Sequence, residues 1–143
     1  MIDETSKLEA IIFDTVHRLS SNLSRKYDQL LLERYGIGFS QYKIMHLLQN
    51  NEAMKQSSIA AILGQTEASI SRQVQIMVGY GFAIVTVNKL NKREHLVCIT
   101  SKGLRLINEA DKVISQKTSQ IFKDIGHKQK IQLITALQAI DIN

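Results

Sequence analysis

Proline is absent from this 143-residue chain, and cysteine occurs only once. Without proline, nothing forces a break inside a long helix. The single cysteine, Cys98, excludes an intramolecular disulfide and a cysteine-rich metal site, and we interpret it as a packing residue of a strand rather than a redox sensor. No apolar run approaches the ~20 residues that span a bilayer. The N-terminus begins with acidic residues and lacks the basic segment of a signal peptide. We therefore expect a cytoplasmic protein with no membrane partner.

The residue patterns of catalytic and metal sites are also missing. The four histidines, at positions 17, 46, 95 and 127, include no pair at the i, i+4 spacing of a helical metal site. Distant residues can still meet in a fold, but no Ser-His-Asp set, phosphate-binding loop or paired-carboxylate motif can be recognised. We therefore predict neither an enzyme nor a bound metal or cofactor.

What the chain does have is a concentrated basic excess. Its formal net charge is +5, from 18 Lys and Arg against 13 Asp and Glu. Five of the basic residues and a single acid, Glu94, fall between Lys89 and Arg105. So much positive charge in one short stretch is what an anion-binding surface requires.

The N-terminal quarter of the chain predicts one long helix. Apolar residues recur every three or four positions over residues 8–30, which is the period of a helical stripe. We expect the helix to run from Lys7 to Tyr35, with Ser6 and Glu9 as a capping box and Gly36 as its stop. At roughly 43 Å, it would be longer than the ~37 Å diameter of a compact globule of this size. We therefore expect it to pack against a partner outside its own domain.

Two shorter helices joined by a tight turn lie further along the chain. Ser57 is expected to cap a helix over Ser58–Leu63, which Gly64 would end. Thr66 is expected to cap the next helix, over Glu67–Tyr80. Two helices joined by a three-residue turn that contains glycine form a helix-turn-helix.

A β-hairpin follows the helix-turn-helix. The segments Phe82–Asn88 and His95–Thr100 are rich in β-branched residues, and the polar, basic loop Lys89–Glu94 separates them. Apolar spacing predicts the remaining helices over Phe39–Gln49, Ser101–Ile125 and Lys128–Ile140. The order α-α-α-α-β-β-α-α describes a mainly α fold with a small β-hairpin wing, which is a winged helix-turn-helix.

The Glu67–Tyr80 helix carries candidate base-reading residues. At 100° per residue, its buried arc is predicted to consist of Ile70, Val74, Met77 and Val78. The other side of the helix presents small, hydroxyl and hydrogen-bonding side chains, namely Ala68, Ser69, Ser71, Arg72 and Gln75. In a major groove, arginine pairs with guanine, glutamine pairs with adenine, and an alanine methyl fits the thymine methyl. Taken alone, an ordinary solvated face is the simpler interpretation.

The hairpin loop and the helix starts supply further candidate DNA contacts. Lys89, Lys92 and Arg93 surround the tip of the loop, and short basic loops commonly enter a minor groove, where the potential is most negative. Ser57 and Thr66 mark helix starts, whose backbone N–H groups favour a phosphate. A helix-turn-helix followed at once by a basic hairpin is a specific arrangement, and it favours DNA binding.

These motifs resemble the MarR family of bacterial and archaeal regulators over nearly the whole chain. Ser58–Thr66 is similar to the family's Leu-Ala-x-x-Leu-Gly-x-Ser run, and Ser69–Arg72 is similar to its Thr-Val-Thr-Arg. Residues 37–48 look like the family's second helix. The most distinctive match is the wing, where Asn91–Arg93 corresponds to the family's Asp-x-Arg and Val97–Gly103 to its Val-x-Leu-Thr-x-x-Gly. Asparagine replaces the aspartate that braces the family's wing arginine.

The resemblance implies a ligand-responsive repressor that binds a palindromic operator in double-stranded DNA as a homodimer. Within a single domain over 1–143, residues 37–100 would form the DNA-binding lobe, and residues 1–36 and 101–143 the dimerisation lobe. Relatives often bind small aromatic or phenolic effectors in a cleft between these lobes. The candidate lining residues here are Arg18, Tyr27, Tyr42, Met45 and His46, although core or surface roles are the simpler interpretation for each alone.

Two other classes of function stay open. A winged helix can be a protein-interaction module that never touches DNA, but the basic loop and the face formed by Arg72 and Gln75 favour DNA. A small enzyme would need a cluster of titratable groups, which the sequence does not show.

Overall fold

Helix α1 spans Glu4–Tyr35 in the computed structural model, which describes residues 3–143. Its N-cap is Asp3, so Ser6 lies inside the helix and the predicted capping box with Glu9 is wrong. At the other end, Gly36 has φ 67° and donates its N–H to the carbonyl of Leu32, as predicted. Glycine has no Cβ to oppose this left-handed conformation, so the helix ends there and the chain turns.

The remaining elements follow in the predicted order, with one short strand added. The other helices are α2 (Phe39–Leu48), α3 (Gln56–Leu63), α4 (Glu67–Gly79), α5 (Ser101–Ile121) and α6 (His127–Gln138). The strands are β1 (Met54–Lys55), β2 (Ala83–Val87) and β3 (His95–Ile99). The mainly helical fold class with a small β wing is confirmed. Strand β1 was not predicted, because two residues are too few to show an alternating pattern.

Several helix ends differ from prediction by one to four residues, and two of these differences have identifiable reasons. Helix α5 ends at Ile121 rather than Ile125, because the N–H of Ile125 bonds to the carbonyl of Phe122, a tighter i, i+3 spacing that closes the helix. Helix α3 begins at Gln56 with Lys55 as its N-cap, so the prediction that Ser57 caps it is wrong. Lys55 pairs with Leu96 in the sheet, and the helix starts as soon as this pairing ends.

The three strands form an antiparallel sheet in the order β1-β3-β2. In the central strand, Val97 is fully buried and lies opposite both Met54 of β1 and Val85 of β2. The sheet therefore joins the hairpin to the segment that leads directly into α3.

The hydrophobic core draws on every helix from α1 to α5. The largest side chains with less than 2% exposure are Leu31, Ile37, Ile44, Met45, Leu48, Ile59, Ile70, Met77 and Ile107, together with Val74 and Val97. The chain divides within α5 into a unit that ends at Ala110 and a unit over Asp111–Asn143. All of these core residues belong to the first unit, and this unit holds the helix-turn-helix and the hairpin. The functional lobes proposed from sequence, at 37–100 and on either side of it, stay a prediction.

Candidate nucleic-acid interface

Helix α4 presents the side chains that the sequence predicted. Thr66 caps the helix, and its Oγ1 accepts the backbone N–H of Ser69 at 3.1 Å. Ala68, Arg72 and Gln75 are exposed, whereas Ser69 and Ser71 are half-buried at the margins of this face. Three residues of the predicted buried arc, Ile70, Val74 and Met77, are at most 1% exposed. The fourth is Val78, which is 41% exposed, so its predicted burial is wrong.

Val78 is exposed because it lines a groove between α4 and the hairpin. The groove has a volume of about 390 Å³ and places Ser71 and Gln75 of α4 opposite Val85 and His95 of the strands. Val78 therefore faces the hairpin across an open space rather than the core. The structure brings two of the predicted base-reading residues, Ser71 and Gln75, to one edge of this groove.

A second, smaller groove of about 170 Å³ brings the start of α3 to the wing. Ser57, the second residue of α3, lines it together with Arg93 of the loop, and the other lining residues are Lys55, Gln56, Glu67, Glu94 and His95. Ser57 is exposed in the first turn of α3, where backbone N–H groups have no partner within the helix. Two residues predicted separately to contact DNA, one from each element, thus line the same groove.

The wing loop is folded by hydrogen bonds from two asparagines. The side chain of Asn88 accepts the N–H of Leu90 at 3.0 Å, and the side chain of Asn91 accepts the N–H of Arg93 at 3.2 Å. The N–H of Glu94 bonds to the carbonyl of Asn91 at 2.9 Å. Asn91 therefore orders the backbone at Arg93 without carrying a charge. Lys89, Lys92 and Arg93 are all exposed on this loop.

Glu94 forms a contact network that the sequence did not predict. Its Oε1 lies 2.7 Å from Nζ of Lys55, and its Oε2 accepts Nδ2 of Asn88 at 2.9 Å. The hydrogen bonds from Lys55 and Asn88 hold the pKa of Glu94 below its ordinary value. The only signal in the sequence was that Glu94 is the one acid of a basic stretch.

The base of the wing is tied to the start of α5. Thr100 Oγ1 donates to the carbonyl of Gly81 at 2.6 Å and accepts the N–H of Gly103 at 3.0 Å. Lys102 Nζ donates to the carbonyl of Tyr80, just after α4, at 2.8 Å, and it lies 5.2 Å from the ring centroid of Phe82. The start of α5 is thereby joined to the turn that connects α4 to β2.

The five candidate effector-binding residues differ in exposure, and only Tyr27 lines the cleft formed by residues of α1 and α2. Tyr27 lines an open cleft of about 310 Å³ with Phe39 and side chains of α1, whereas Tyr42 is largely buried and Met45 is fully buried. Arg18 and His46 are exposed. The rings of Tyr27, Phe39, Tyr42 and His46 follow one another with centroids 5.4, 5.9 and 5.7 Å apart. Phe39, which connects Tyr27 to Tyr42, was not among the candidates.

Within residues 3–143, no three His, Cys, Asp or Glu side chains are grouped as a metal ion would require. No helix in that range has both the length and the apolar character needed to cross a bilayer. Cys98 is a free thiol, half-buried in β3 opposite Ile84.

Comparison with known sequences gives a distant match to a transcriptional regulator. No protein-family model matches the chain. The HTH-type transcriptional regulator PetP of Rhodobacter capsulatus is 23% identical over 86 residues, which cover 58% of this chain and 52% of PetP. The matched part is therefore about half of the length of that regulator.

Comparison with solved structures gives much broader matches. A MarR/EmrR family transcriptional regulator from Acinetobacter sp. ADP1 superposes with a TM-score of 0.82 at 21% identity, over 92% of each chain. A mutant of MarR from E. coli, complexed with operator DNA, superposes with a TM-score of 0.82 at 16% identity, over 96% of this chain and 97% of that one. CouR from Rhodococcus jostii RHA1, bound to p-coumaroyl-CoA, gives 0.79 at 21% identity, over 90% and 89%. The chain has the winged helix-turn-helix fold of MarR-family transcriptional regulators.

Proposed function

We propose that the protein is a sequence-specific transcriptional regulator of the MarR type, which binds double-stranded DNA through α4 and the wing. Arg72 and Gln75 would read base edges in the major groove, with Ala68 against a thymine methyl. Arg93 would enter the minor groove or contact its phosphates, and Lys89 and Lys92 would contact phosphates alone. We further propose that it acts as a repressor on a palindromic operator.

One observation carries this proposal. Within one compact unit, the exposed polar face of α4 lies beside a basic wing, and side chains of both elements line the same grooves. A major groove admits an α-helix, and the negative potential of a minor groove attracts basic side chains, so a polar helix beside a charged loop suits adjoining grooves of DNA. The operator complex of a protein with the same fold supports the same assignment.

The decisive measurement is binding to the DNA upstream of the protein's own gene, by gel shift at several salt concentrations. We expect a specific complex whose affinity falls steeply with salt, because phosphate contacts release counterions. Arg72→Ala should weaken it. Arg34→Ala is the matched control, since it removes the same charge from the last turn of α1. If Arg72→Ala binds the DNA as tightly as Arg34→Ala, or if the wild type binds without sequence preference, the proposal is contradicted and a protein-interaction module is favoured.

We also propose that the regulator is a homodimer. The N-terminal half of α1 exposes a set of large apolar side chains, namely Leu8, Ile11, Ile12, Phe13, Val16 and Leu19. Helix α6 exposes another set, namely Ile131, Leu133, Ile134 and Leu137. Apolar surface of this extent marks an interface, and a two-fold dimer would present two copies of α4 to a palindrome. Light scattering should give about twice the 16.2 kDa chain mass, and a folded monomer at micromolar concentration would contradict the dimer.

A small aromatic or phenolic effector is the proposed signal. The cleft beside Tyr27 and Phe39 is mainly apolar and has room for one aromatic ring with its substituents. CouR, which shares the fold, is bound to p-coumaroyl-CoA in its structure. Phenolic carboxylates should raise the unfolding temperature and release DNA in the wild type, and Leu23→Phe, which narrows the cleft, should suppress both effects. Unchanged responses in Leu23→Phe would place the effector elsewhere.

A further inference from the structure

Glu94 is the only acid between Lys89 and Arg105, and it occupies the foot of the wing. A carboxylate on a surface that attracts phosphates weakens that attraction. The side chain is 29% exposed, so it is neither buried in the core nor fully in solvent. A glutamate at this position is favourable only if its contacts within the protein offset the repulsion between its charge and the phosphates.

The contacts of Glu94 supply that advantage. Asn88 and Glu94 stand at the two ends of the loop and are joined twice, once by the N–H of Asn88 to the carbonyl of Glu94 at 2.9 Å and once through their side chains, also at 2.9 Å. The carboxylate also binds Lys55, 39 positions away in the sequence. Because Lys55 is the last residue before α3, the loop is held both in its own shape and against the helix-turn-helix.

The same network orients the tip. While Asn88 donates to Glu94, its side-chain oxygen accepts the N–H of Leu90. The N–H of Glu94 is bonded to Asn91, whose side chain in turn holds the N–H of Arg93. The backbone N–H groups of Glu94 and Arg93 therefore both bond to Asn91, and the Glu94 carboxylate fixes this backbone from outside through Lys55 and Asn88.

From this geometry we infer that Glu94 is a positioning residue of the wing, which acts with Lys55 and Asn88 to hold Arg93 in the orientation that contacts DNA. The inference rests on the proposed DNA-binding function.

The direction in which Glu94→Ala changes operator affinity distinguishes a bracing role of Glu94 from a purely electrostatic one. Glu94→Ala removes a negative charge from the DNA-facing surface, so charge alone predicts tighter binding and a steeper dependence on salt. Bracing predicts the opposite, with operator affinity about two- to fivefold weaker, the range expected from losing one exposed ion pair. Glu52→Ala is the matched control, because Glu52 is exposed and has no ion pair or side-chain hydrogen bond within residues 3–143.

A conservative variant gives a second, independent comparison. Glu94→Gln removes the charge but keeps an amide oxygen that can accept from Lys55 or Asn88. If charge alone matters, Glu94→Gln and Glu94→Ala should bind the operator equally. If the brace matters, Glu94→Gln should bind closer to the wild type than Glu94→Ala, with the unfolding temperature of all three within a few degrees.

Amide hydrogen exchange measures the brace without DNA. In Glu94→Ala, the amides of Leu90 and Arg93 should exchange faster than in the wild type, while amides in the α4 core keep their protection. Failure of the wild type to bind any operator would refute the proposed function, and the exchange rates would still decide whether Glu94 orders the loop. Unchanged exchange, or a Glu94→Ala variant that binds the operator as tightly as the wild type or more tightly, would overturn the inference.

Discussion

Replacing Gly103 with alanine should destabilise the protein, although alanine is ordinarily the better helix former. In an exposed helix interior, the exchange of glycine for alanine stabilises by about 1 kcal/mol. At Gly103, however, an added Cβ would stand 2.2 Å from the carbonyl oxygen of Phe82 and 2.8 Å from Cγ1 of Ile99. Both distances are far below van der Waals contact, and the first involves backbone. Helix α5 can approach the hairpin this closely only because position 103 has no side chain.

The loss of stability in Gly103→Ala depends on the atoms that the new methyl group would displace. The Phe82 carbonyl also accepts the N–H of Thr100 at 3.0 Å, so retreating from the new methyl group would strain a hydrogen bond at the start of α5. Overpacking of a well-packed site costs about 1–3 kcal/mol, and a weakened hydrogen bond adds up to about 1 kcal/mol. After the helix-propensity gain is subtracted, we expect a net loss of about 2 kcal/mol, or roughly 4–8 °C in unfolding temperature for a chain of this size.

Urea and thermal unfolding at one fixed protein concentration would measure this loss, because dimerisation would make stability depend on concentration. Gly79→Ala is the matched control. It lies at the end of α4, and an added Cβ there meets no atom of residues 3–143 within 4 Å. We expect Gly79→Ala to be neutral or to stabilise by a few tenths of a kcal/mol. A Gly103→Ala variant as stable as the wild type would show that α5 and the hairpin separate at no cost, which would refute the packing explanation.

Four further predictions concern the interface, the dimer and pH. Arg93→Ala should weaken operator binding by about 1–3 kcal/mol and reduce the slope of log affinity against log salt concentration by about one in magnitude. Unchanged affinity and slope would make Arg93 only a surface charge. In a binding assay across operator variants, Arg72→Ala should relax the sequence preference at a guanine, and Gln75→Ala should affect fewer operator positions than Arg72→Ala. Unaltered sequence preference in both variants would mean that another face reads the bases. Ile12→Glu should dissociate the dimer in sedimentation experiments while far-UV circular dichroism stays unchanged, and Asp14→Ala on the opposite side of α1 should not. Because Lys55 and Asn88 hold the pKa of Glu94 below its ordinary value of 4.5, the contribution of Glu94 should be complete above pH 4.5 and lost as pH falls through the lowered pKa. Exchange of the Arg93 amide that does not accelerate over an acid titration carried to full protonation of the carboxylates, after correction for the intrinsic rate, would contradict this.

Features encoded by neighbouring residues were predictable from the sequence. The apolar spacing in α4 placed Ile70, Val74 and Met77 in the core, and the burial of all three is confirmed. Gly36 ends α1 and Thr66 caps α4 as predicted, since a cap depends only on residues within one helical turn. The order of helices and the hairpin followed from the same local periods of 3.6 and 2 residues.

Features that join distant parts of the chain were decided by the tertiary structure. The sequence indicated that Val78 belongs to the buried side of α4, but only the position of the hairpin leaves it facing a groove. The resemblance marked Gly103 as a family position, but its contact with Phe82 explains why a side chain does not fit there. Lys55 and Glu94 are 39 residues apart, and β1, which aligns them, is too short to predict. Helical and strand periods report which face of an element is apolar, whereas the partner of that face depends on the path of the whole chain, which no local pattern encodes.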